Sequence, residues 1–200
     1  MATKMYDIFG TGSNVEGRIF KDYDKIKEIS DCCKKIGLKI VLTSGTFDLF
    51  HVGHSRYLEH AKEHGDILIV GIDSDEKVKK IKGPNRPIVL EDERMEILCH
   101  CRHVDLVFLK GADDPKWNLI KTLRPDVLIT TQKTYKEDEL AERRQYCKEI
   151  FVFEPQATTS TTAKIRRIMI VPANQIKEKL QTVVKELTEF VDNLTGKGDE

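Results

Sequence analysis

The sequence has no surplus of either charge: 33 lysines and arginines balance 33 aspartates and glutamates. A chain whose main partner is a nucleic-acid backbone carries a basic excess, so that class of partner is not expected. A local basic pocket for a small phosphorylated ligand remains open. Residues 1–14 lack the apolar core of a secretory signal peptide. No stretch approaches the roughly 18–20 apolar residues that span a bilayer. The cysteines number five, odd and irregularly spaced, which fits a reducing compartment better than a disulfide framework. Internal repeats and low-complexity segments are absent. These absences together lead to the expectation of a cytoplasmic protein without a membrane partner.

What is present is an alternation of apolar runs and helical spacing. Two hundred residues suffice for one ordinary domain with an added terminal element, and for a core that needs no disulfide or metal. Residues 1–20 are polar and glycine-bearing, and read as a loosely packed arm. Asp22 to Lys35 has the spacing of an amphipathic helix, with Ile26, Ile29 and Cys33 on one face. Five short apolar runs follow, each read as a buried strand: Lys39–Ser44, Ile67–Ile72, Val104–Leu109, Asp126–Thr130 and Ile150–Phe153. Helical stretches separate them. Strands apolar on both faces, alternating with helices, predict an α/β fold: a doubly wound, parallel, five-stranded sheet in a three-layer sandwich of Rossmann-like type. Ligands of such sheets bind beyond the C-terminal ends of the strands.

The chain is expected to divide into an N-terminal arm and helix (1–37), a central domain (38–170) and a C-terminal amphipathic helix (171–200). After Pro172, Ile176, Leu180, Val183, Leu187, Phe190 or Val191, and Leu194 recur at steps of three and four. This stripe either packs on its own domain or pairs with the same helix in a homodimer.

The chemistry is concentrated after the first strand, in Gly45-Thr-Phe-Asp-Leu-Phe-His-Val-Gly-His54. Gly45 permits a tight turn that brings main-chain N–H groups close to a phosphate. His51 and His54 flank Gly53 at the start of the next helix, where free N–H groups and the helix dipole favour an anion. Two imidazoles there can donate hydrogen bonds to phosphate oxygens that gain charge in a transition state. Among lysines 77 to 82, Lys82 is read as a phosphate ligand and the rest as a solvated face. Ser160, Thr161 and Thr162 head a helix, where capping alone is the simplest role. Cys99, Cys101 and His103 look like a metal cluster but lack a fourth ligand and clean spacing, so no metal-binding residues are expected. His60 and His64 are read as solvent-exposed, and Trp117 as packed near the fourth strand.

Gly45 to His54 resembles the signature of the cytidylyltransferase-like nucleotidyltransferases, with their Gly-Thr-Phe-Asp and His-x-Gly-His motifs. The similarity continues in order through Gly65-Asp66, Ser74-Asp75, Lys82-Gly-Pro-Asn-Arg-Pro87, Glu93-Arg94, Val104-Asp105, Arg124-Pro-Asp126 and Thr159-Ser-Thr-Thr162, covering roughly residues 38–170. The pattern is most similar to the adenylyltransferase domain of the bifunctional heptose-phosphate enzymes, and next to glycerol-3-phosphate cytidylyltransferase. The resemblance implies an enzyme that moves a nucleoside monophosphate from ATP or CTP onto a phosphorylated small metabolite. Pyrophosphate leaves, and Mg²⁺ is held mainly through the triphosphate. It implies that His51, His54 and Arg94 act on phosphates, that Thr46, Phe47 and Gly53 offer main-chain groups to the nucleotide, and that Ser160, Thr161 and Thr162 also meet its anionic oxygens. Asp48 would order the site or a metal-bound water, or else serve only the turn.

The sequence departs from the heptose pattern at Thr130-Thr-Gln-Lys-Thr-Tyr135 and at Gln156-Ala-Thr-Thr159, which leaves base and acceptor open. A cytidylyltransferase acting on a polyol or amino-alcohol phosphate is the alternative within the family. Two rivals lie outside it. His51-Val-Gly-His54 is similar to the adenylate motif of class I aminoacyl-tRNA synthetases, but their lysine-rich second loop is missing. A non-catalytic nucleotide-binding protein would keep the cradle and release no pyrophosphate.

Overall fold

The computed structural model describes residues 14–131, 137–154, 156 and 161–195. The chain divides into two compact units, one ending at Thr158 and the other beginning at Thr159.

In chain order the first unit holds α1 (Val15–Arg18), β1 (Ile19–Phe20), α2 (Tyr23–Lys35), β2 (Ile40–Gly45), α3 (Val52–Lys62), β3 (Ile67–Asp73), α4 (Asp75–Lys82), α5 (Glu91–His100), β4 (Leu106–Lys110), α6 (Asn118–Leu123), β5 (Val127–Thr131), α7 (Glu137–Arg143) and β6 (Glu149–Phe153). The strands form one parallel sheet in the order β1-β4-β3-β2-β5-β6. The five apolar runs of the sequence are β2 to β6, and the doubly wound α/β expectation holds. The count does not: the sheet has six strands.

The sixth comes from the segment read as a loose arm. Ile19 and Phe20 add a two-residue strand beside Val107 and Phe108. Arg18 anchors it, its Nε donating to the Asp105 carbonyl at 2.9 Å and Nη1 to that of Cys99 at 2.7 Å, while Nη2 donates to Val104. A strand this short has no period to detect, and a buried arginine is not expected in a polar arm.

Alternate residues of the central strands feed two cores. Val41, Val70, Ile72, Val107 and Ile129 pack against Tyr57, Leu58 and Ala61 of α3 and Met95 and Leu98 of α5. Leu42, Ile69, Leu106, Phe108 and Leu128 pack against Ile26 and Cys33 of α2 and Leu119, Ile120 and Leu123 of α6. Burial on both faces explains why these strands read as unbroken apolar runs.

Three of the motif aspartates lie at the strand starts and lock neighbouring strands together. Asp66 accepts from the Lys39 N–H at 2.7 Å, Asp105 from Leu68 at 2.6 Å and Asp126 from Ile40 at 2.8 Å. Gly65 precedes the first of them because a Cβ there would meet Val41 Cγ2 at 2.7 Å and the Lys39 carbonyl at 2.8 Å. These matches to the family pattern are architectural.

The second unit contains one helix, α8, running from Thr161 to Thr195. The expected boundary at 170/171 falls inside it, and Pro172 lies within it at the cost of one main-chain hydrogen bond. Among the described residues, no helix is long and apolar enough to cross a membrane.

Candidate functional site

Chain direction across the sheet reverses between β2 and β5. From β2 the chain proceeds through β3 to β4 on one side, and from β5 to β6 on the other. The crevice at such a reversal is where open α/β sheets bind ligands, and the motif loop Thr46–Phe50 leaves β2 there.

The loop is tightly held. Phe47 and Leu49 both have positive φ, 52° and 48°. Non-glycine residues adopt this region at a cost of about 1–3 kcal/mol each, which the surroundings must offset. Two features supply the restraint. Phe47 is buried in the first core and folds back over Gly45, where a Cβ would stand 3.0 Å from the ring. Asp48 is buried and accepts from the main-chain N–H groups of Ile88 (3.1 Å) and Val89 (3.0 Å), and from Arg86 Nη2 (2.6 Å) and Nε (2.8 Å). Burial alone would raise the Asp48 carboxyl, but these hydrogen bonds and the guanidinium outweigh it and hold the group below the usual carboxylate range. Asp48 thus fastens the motif loop to the 86–89 loop.

Beyond the loop, His51 caps α3, its Nδ1 accepting from the Gly53 N–H at 3.1 Å. A neutral His51 then carries its proton on Nε2, as a donor. One helical turn on, the His54 ring stacks on His51 with centroids 3.9 Å apart and planes 19° from parallel. Phe47 and Phe50 pack against His54 at 5.3 and 5.4 Å. The loop, both imidazoles and the positive end of α3 therefore form one continuous feature, suited to an anion.

Lys82 joins it from the end of α4. Its Nζ donates to Thr46 Oγ1 at 2.8 Å, so the expected phosphate ligand touches a residue expected to offer main-chain groups to the nucleotide. Desolvation lowers the Lys82 pKa, and Arg86 and Arg94 push the same way, with Asp73 and Asp48 offsetting only part. A bound phosphate would favour the charged ammonium. Nucleotide affinity should therefore fall as pH rises through the lowered free-enzyme value, and Lys82→Arg, always charged, should flatten that alkaline limb. Binding titrations across pH check this, and equal slopes in both proteins would remove Lys82 from the phosphate site. The other lysines of the run behave as solvated or paired groups: Lys80 lies 3.0 Å from both Glu76 and Asp113, and Lys77 4.0 Å from Asp73.

Arg94, expected at the phosphates, lies behind the loop. It is 1 % exposed, and every guanidinium nitrogen has a protein partner. Nε donates to the Val89 carbonyl (2.9 Å), Nη1 to that of Thr46 (2.7 Å), and Nη2 to that of Asp73 (2.9 Å) and to Asp75 Oδ1 (2.7 Å). One side chain thus braces the three loops that follow β2, β3 and α4.

Ser160 falls outside the described residues, as do residues 132–136 and 157–159 of the two divergent segments, and Thr161 and Thr162 open α8. Arg86 is the residue the sequence reading passed over, although it stands inside a family motif. Cys99 is buried, and burial raises its thiol to about 11, a poor state for a metal ligand. Among the described residues no group of three or more metal-ligating side chains converges. His64 is half-buried against Phe151, at 4.1 Å, rather than solvated as expected; His60 is exposed. Trp117 lies under the Arg143 guanidinium at 4.1 Å and packs against the second core.

Comparison with known proteins gives a consistent result. The cytidylyltransferase-like family model matches residues 42–192. The chain is 40% identical over 148 residues to "Bifunctional protein HldE" of a Nitratiruptor species, covering 74% of this chain and 31% of that one. It is 44% identical over 109 residues to the protein of the same name from Geobacter metallireducens, covering 54% and 22%. The chain thus spans less than a third of the length of these curated relatives. Among solved structures, a lipopolysaccharide core biosynthesis protein from Thermoplasma volcanium superposes with TM-score 0.50 at 25% identity, over 60% of this chain and 97% of that one. Pantoate-beta-alanine ligase from Francisella tularensis shares the fold, with TM-score 0.52 at 18% identity, over 68% and 66%.

Proposed function

The chain belongs to the cytidylyltransferase-like family, and we propose that it is a nucleotidyltransferase moving a nucleoside monophosphate from a nucleoside triphosphate to a sugar-phosphate-type acceptor. The observation that carries this reading is the stacked His51–His54 pair at the start of α3, continuous with the braced loop and with Lys82. A nucleotide sensor needs the phosphate cradle but has no use for two imidazoles at one anion site.

In the reaction an oxygen of the acceptor phosphate attacks the α-phosphorus in line. A new P–O bond forms, the bond to the bridging oxygen of the β-phosphate breaks, and pyrophosphate leaves with that electron pair. A phosphomonoester is largely dianionic at neutral pH, its second pKa being about 6, so the attack needs no general base. The chain's task is to hold the groups in line and to stabilise the charge that builds on the non-bridging oxygens. His51 and His54 donate to the α-phosphate, Thr46, Phe47 and Gly53 present main-chain groups to the nucleotide, and Lys82 meets the outer phosphates. Ser160, Thr161 and Thr162 are assigned to the nucleotide's anionic oxygens on the family resemblance alone. Arg94 acts through Thr46, by placing it. Magnesium enters with the triphosphate as part of the substrate, held by phosphate oxygens with few protein ligands. The loop's own carboxylate, Asp48, is already committed to Arg86, Ile88 and Val89, which supports that arrangement.

ATP is the favoured donor, because the motifs resemble those of heptose-phosphate adenylyltransferases and relatives such as the Nitratiruptor and Geobacter proteins bear the name HldE. CTP with a polyol phosphate is the second reading. A cytoplasmic homodimer is the proposed working form. The test is pyrophosphate release with magnesium, crossing ATP and CTP against sugar, polyol and amino-alcohol phosphates. Acceptor-dependent release with one triphosphate is expected; triphosphate binding without release from any acceptor would favour the sensor.

A further inference from the structure

Two buried hydroxyls have no hydrogen-bond partner among the described residues: Ser30, in the middle of α2, and Thr130, near the C-terminal end of β5. Thr130 is 3% exposed. A polar group shut away from water without a partner carries its full desolvation cost, so valine, of the same shape, would suit the free protein better. Thr43 shows the ordinary solution. It is buried in the neighbouring strand β2, and its Oγ1 lies 2.7 Å from the Tyr57 hydroxyl of α3.

Position distinguishes Thr130. Strands β2 and β5 pair from Val41 with Val127 to Thr43 with Ile129, although they run on to Gly45 and Thr131. Ser44 and Thr130 are therefore the first residues beyond the pairing, where the crevice opens between the two strands. Alternation along each strand puts both on the α6 face, since Leu42 and Leu128, two residues back, share the second core with Leu119 of α6. A Cβ on Gly71, which pairs with Ser44, would meet Leu119 Cδ2 at 2.6 Å and Ser44 Oγ at 2.8 Å, so the Ser44 hydroxyl does lie on this face. Ser44 is partly exposed, and solvent reaches this side of the crevice there.

The opposite face is already assigned. Helix α3 packs on the first core, and its start, with His51 and His54, takes the donor's α-phosphate in the reaction above. What remains of the crevice for the second substrate is the α6 side. Two neutral hydroxyls, each able to donate and to accept, suit the hydroxyls of a sugar or polyol. The ammonium of an amino alcohol calls for a carboxylate, and a phosphate for cations or main-chain N–H groups; Ser44 and Thr130 side chains supply neither. We propose that Thr130, with Ser44 beside it, determines acceptor specificity by hydrogen-bonding a hydroxyl on the acceptor's carbon chain, selecting a polyhydroxylated phosphate over an amino-alcohol phosphate. The inference rests on the nucleotidyltransferase reading and deepens it by naming the acceptor's class. The unpaired hydroxyl is a stability cost in the free protein that the bound acceptor removes.

Calorimetry in the presence of the α,β-methylene analogues of ATP and CTP, which cannot release pyrophosphate, measures acceptor binding apart from turnover. The probes are aldose phosphates, glycerol phosphate, ethanolamine phosphate and inorganic phosphate. The wild-type chain should bind an aldose or glycerol phosphate more tightly than the other two. Thr130→Val should weaken that binding on the order of tenfold, with inorganic phosphate and the triphosphate analogue unaffected. It should also raise the urea midpoint, because an apolar group replaces an unpaired hydroxyl. Thr130→Ser, which keeps the hydroxyl, should bind as the wild type does, and Ser44→Ala should lose several-fold. A lower midpoint in Thr130→Val would mean that the hydroxyl is already bonded in the free protein, and an unchanged affinity for the preferred probe would mean that it meets no acceptor. Either result overturns the proposal, as does a wild-type preference for ethanolamine phosphate or binding of none of the probes. Pyrophosphate release is assayed separately: tight binding of an aldose phosphate without release counts against the transfer reading and leaves the hydroxyl site standing.

Discussion

His54→Ala should lower kcat/KM for nucleotidyl transfer by about 10²–10³-fold, equivalent to roughly 3–4 kcal/mol of lost transition-state stabilisation. The loss should appear in kcat as much as in kcat/KM, because a donor aimed at charge that builds only in the transition state does little for the ground state. Triphosphate binding should change little. The ring stacks on His51 and touches Phe47 and Phe50, so some loosening of the loop accompanies its removal. His54→Gln, which keeps bulk and an N–H donor, separates the two effects by recovering stability and part of kcat. His51→Ala should be the more complex variant, because it also removes the α3 cap formed with Gly53 N–H, worth about 1 kcal/mol of stability. The paired replacement should cost far less than the product of the single ones, since stacked rings serving one phosphate act as a unit. Single-turnover rates and urea unfolding on the same samples check all of this. A His54→Ala protein with wild-type kcat would remove the pair from the chemistry.

The parts of this fold that were legible are those in which burial and period agree. Ile67–Ile72 reads as a strand because both its faces are covered, and it is one, from Ile67 to Asp73. Ile19–Phe20 does not, because two residues have no period and the anchor, Arg18, is polar in sequence and buried in space. Helix α4 was hidden by its own composition: Val78 is its one buried residue, and four lysines make the segment read as a charged face. Its start was nonetheless written in the sequence, since Ser74 caps it by accepting from the Lys77 N–H. The motif match singled out the loop, the histidines and Lys82, which the fold brings together, but it carries no information on which matched positions hold strands. Asp66, Asp105 and Asp126 matched the family as well as His54 did, yet each is bonded to a neighbouring strand's first N–H groups. Spacing records which residue types occur in which order, and direction of approach is decided by packing.

Arg94 shows that difference most sharply, and its removal should be the largest stability loss at the site. The guanidinium is buried, braces carbonyls of Thr46, Asp73 and Val89, and pairs with Asp75 at 2.7 Å. Arg94→Ala leaves those acceptors without their donor and Asp75 without its cation. Removing one partner of a buried pair costs about 3–5 kcal/mol, and the Thr46 loop, with its two positive-φ residues, depends on the same brace. A loss in that range is expected in urea unfolding, together with a raised KM for the triphosphate as Thr46 and Lys82 lose their placement. Arg94→Lys keeps a charge for Asp75 but cannot reach all the carbonyls at once, because an ammonium lacks the planar fork. It should recover part of the stability and little of the KM. The opposite outcome is equally informative: near-normal stability in Arg94→Ala, with a collapse confined to kcat, would mean that the side chain turns out of its brace to meet a phosphate during the reaction. In the arrangement described, a residue that never touches the nucleotide sets its affinity, and stability and KM should move together across every substitution at this position.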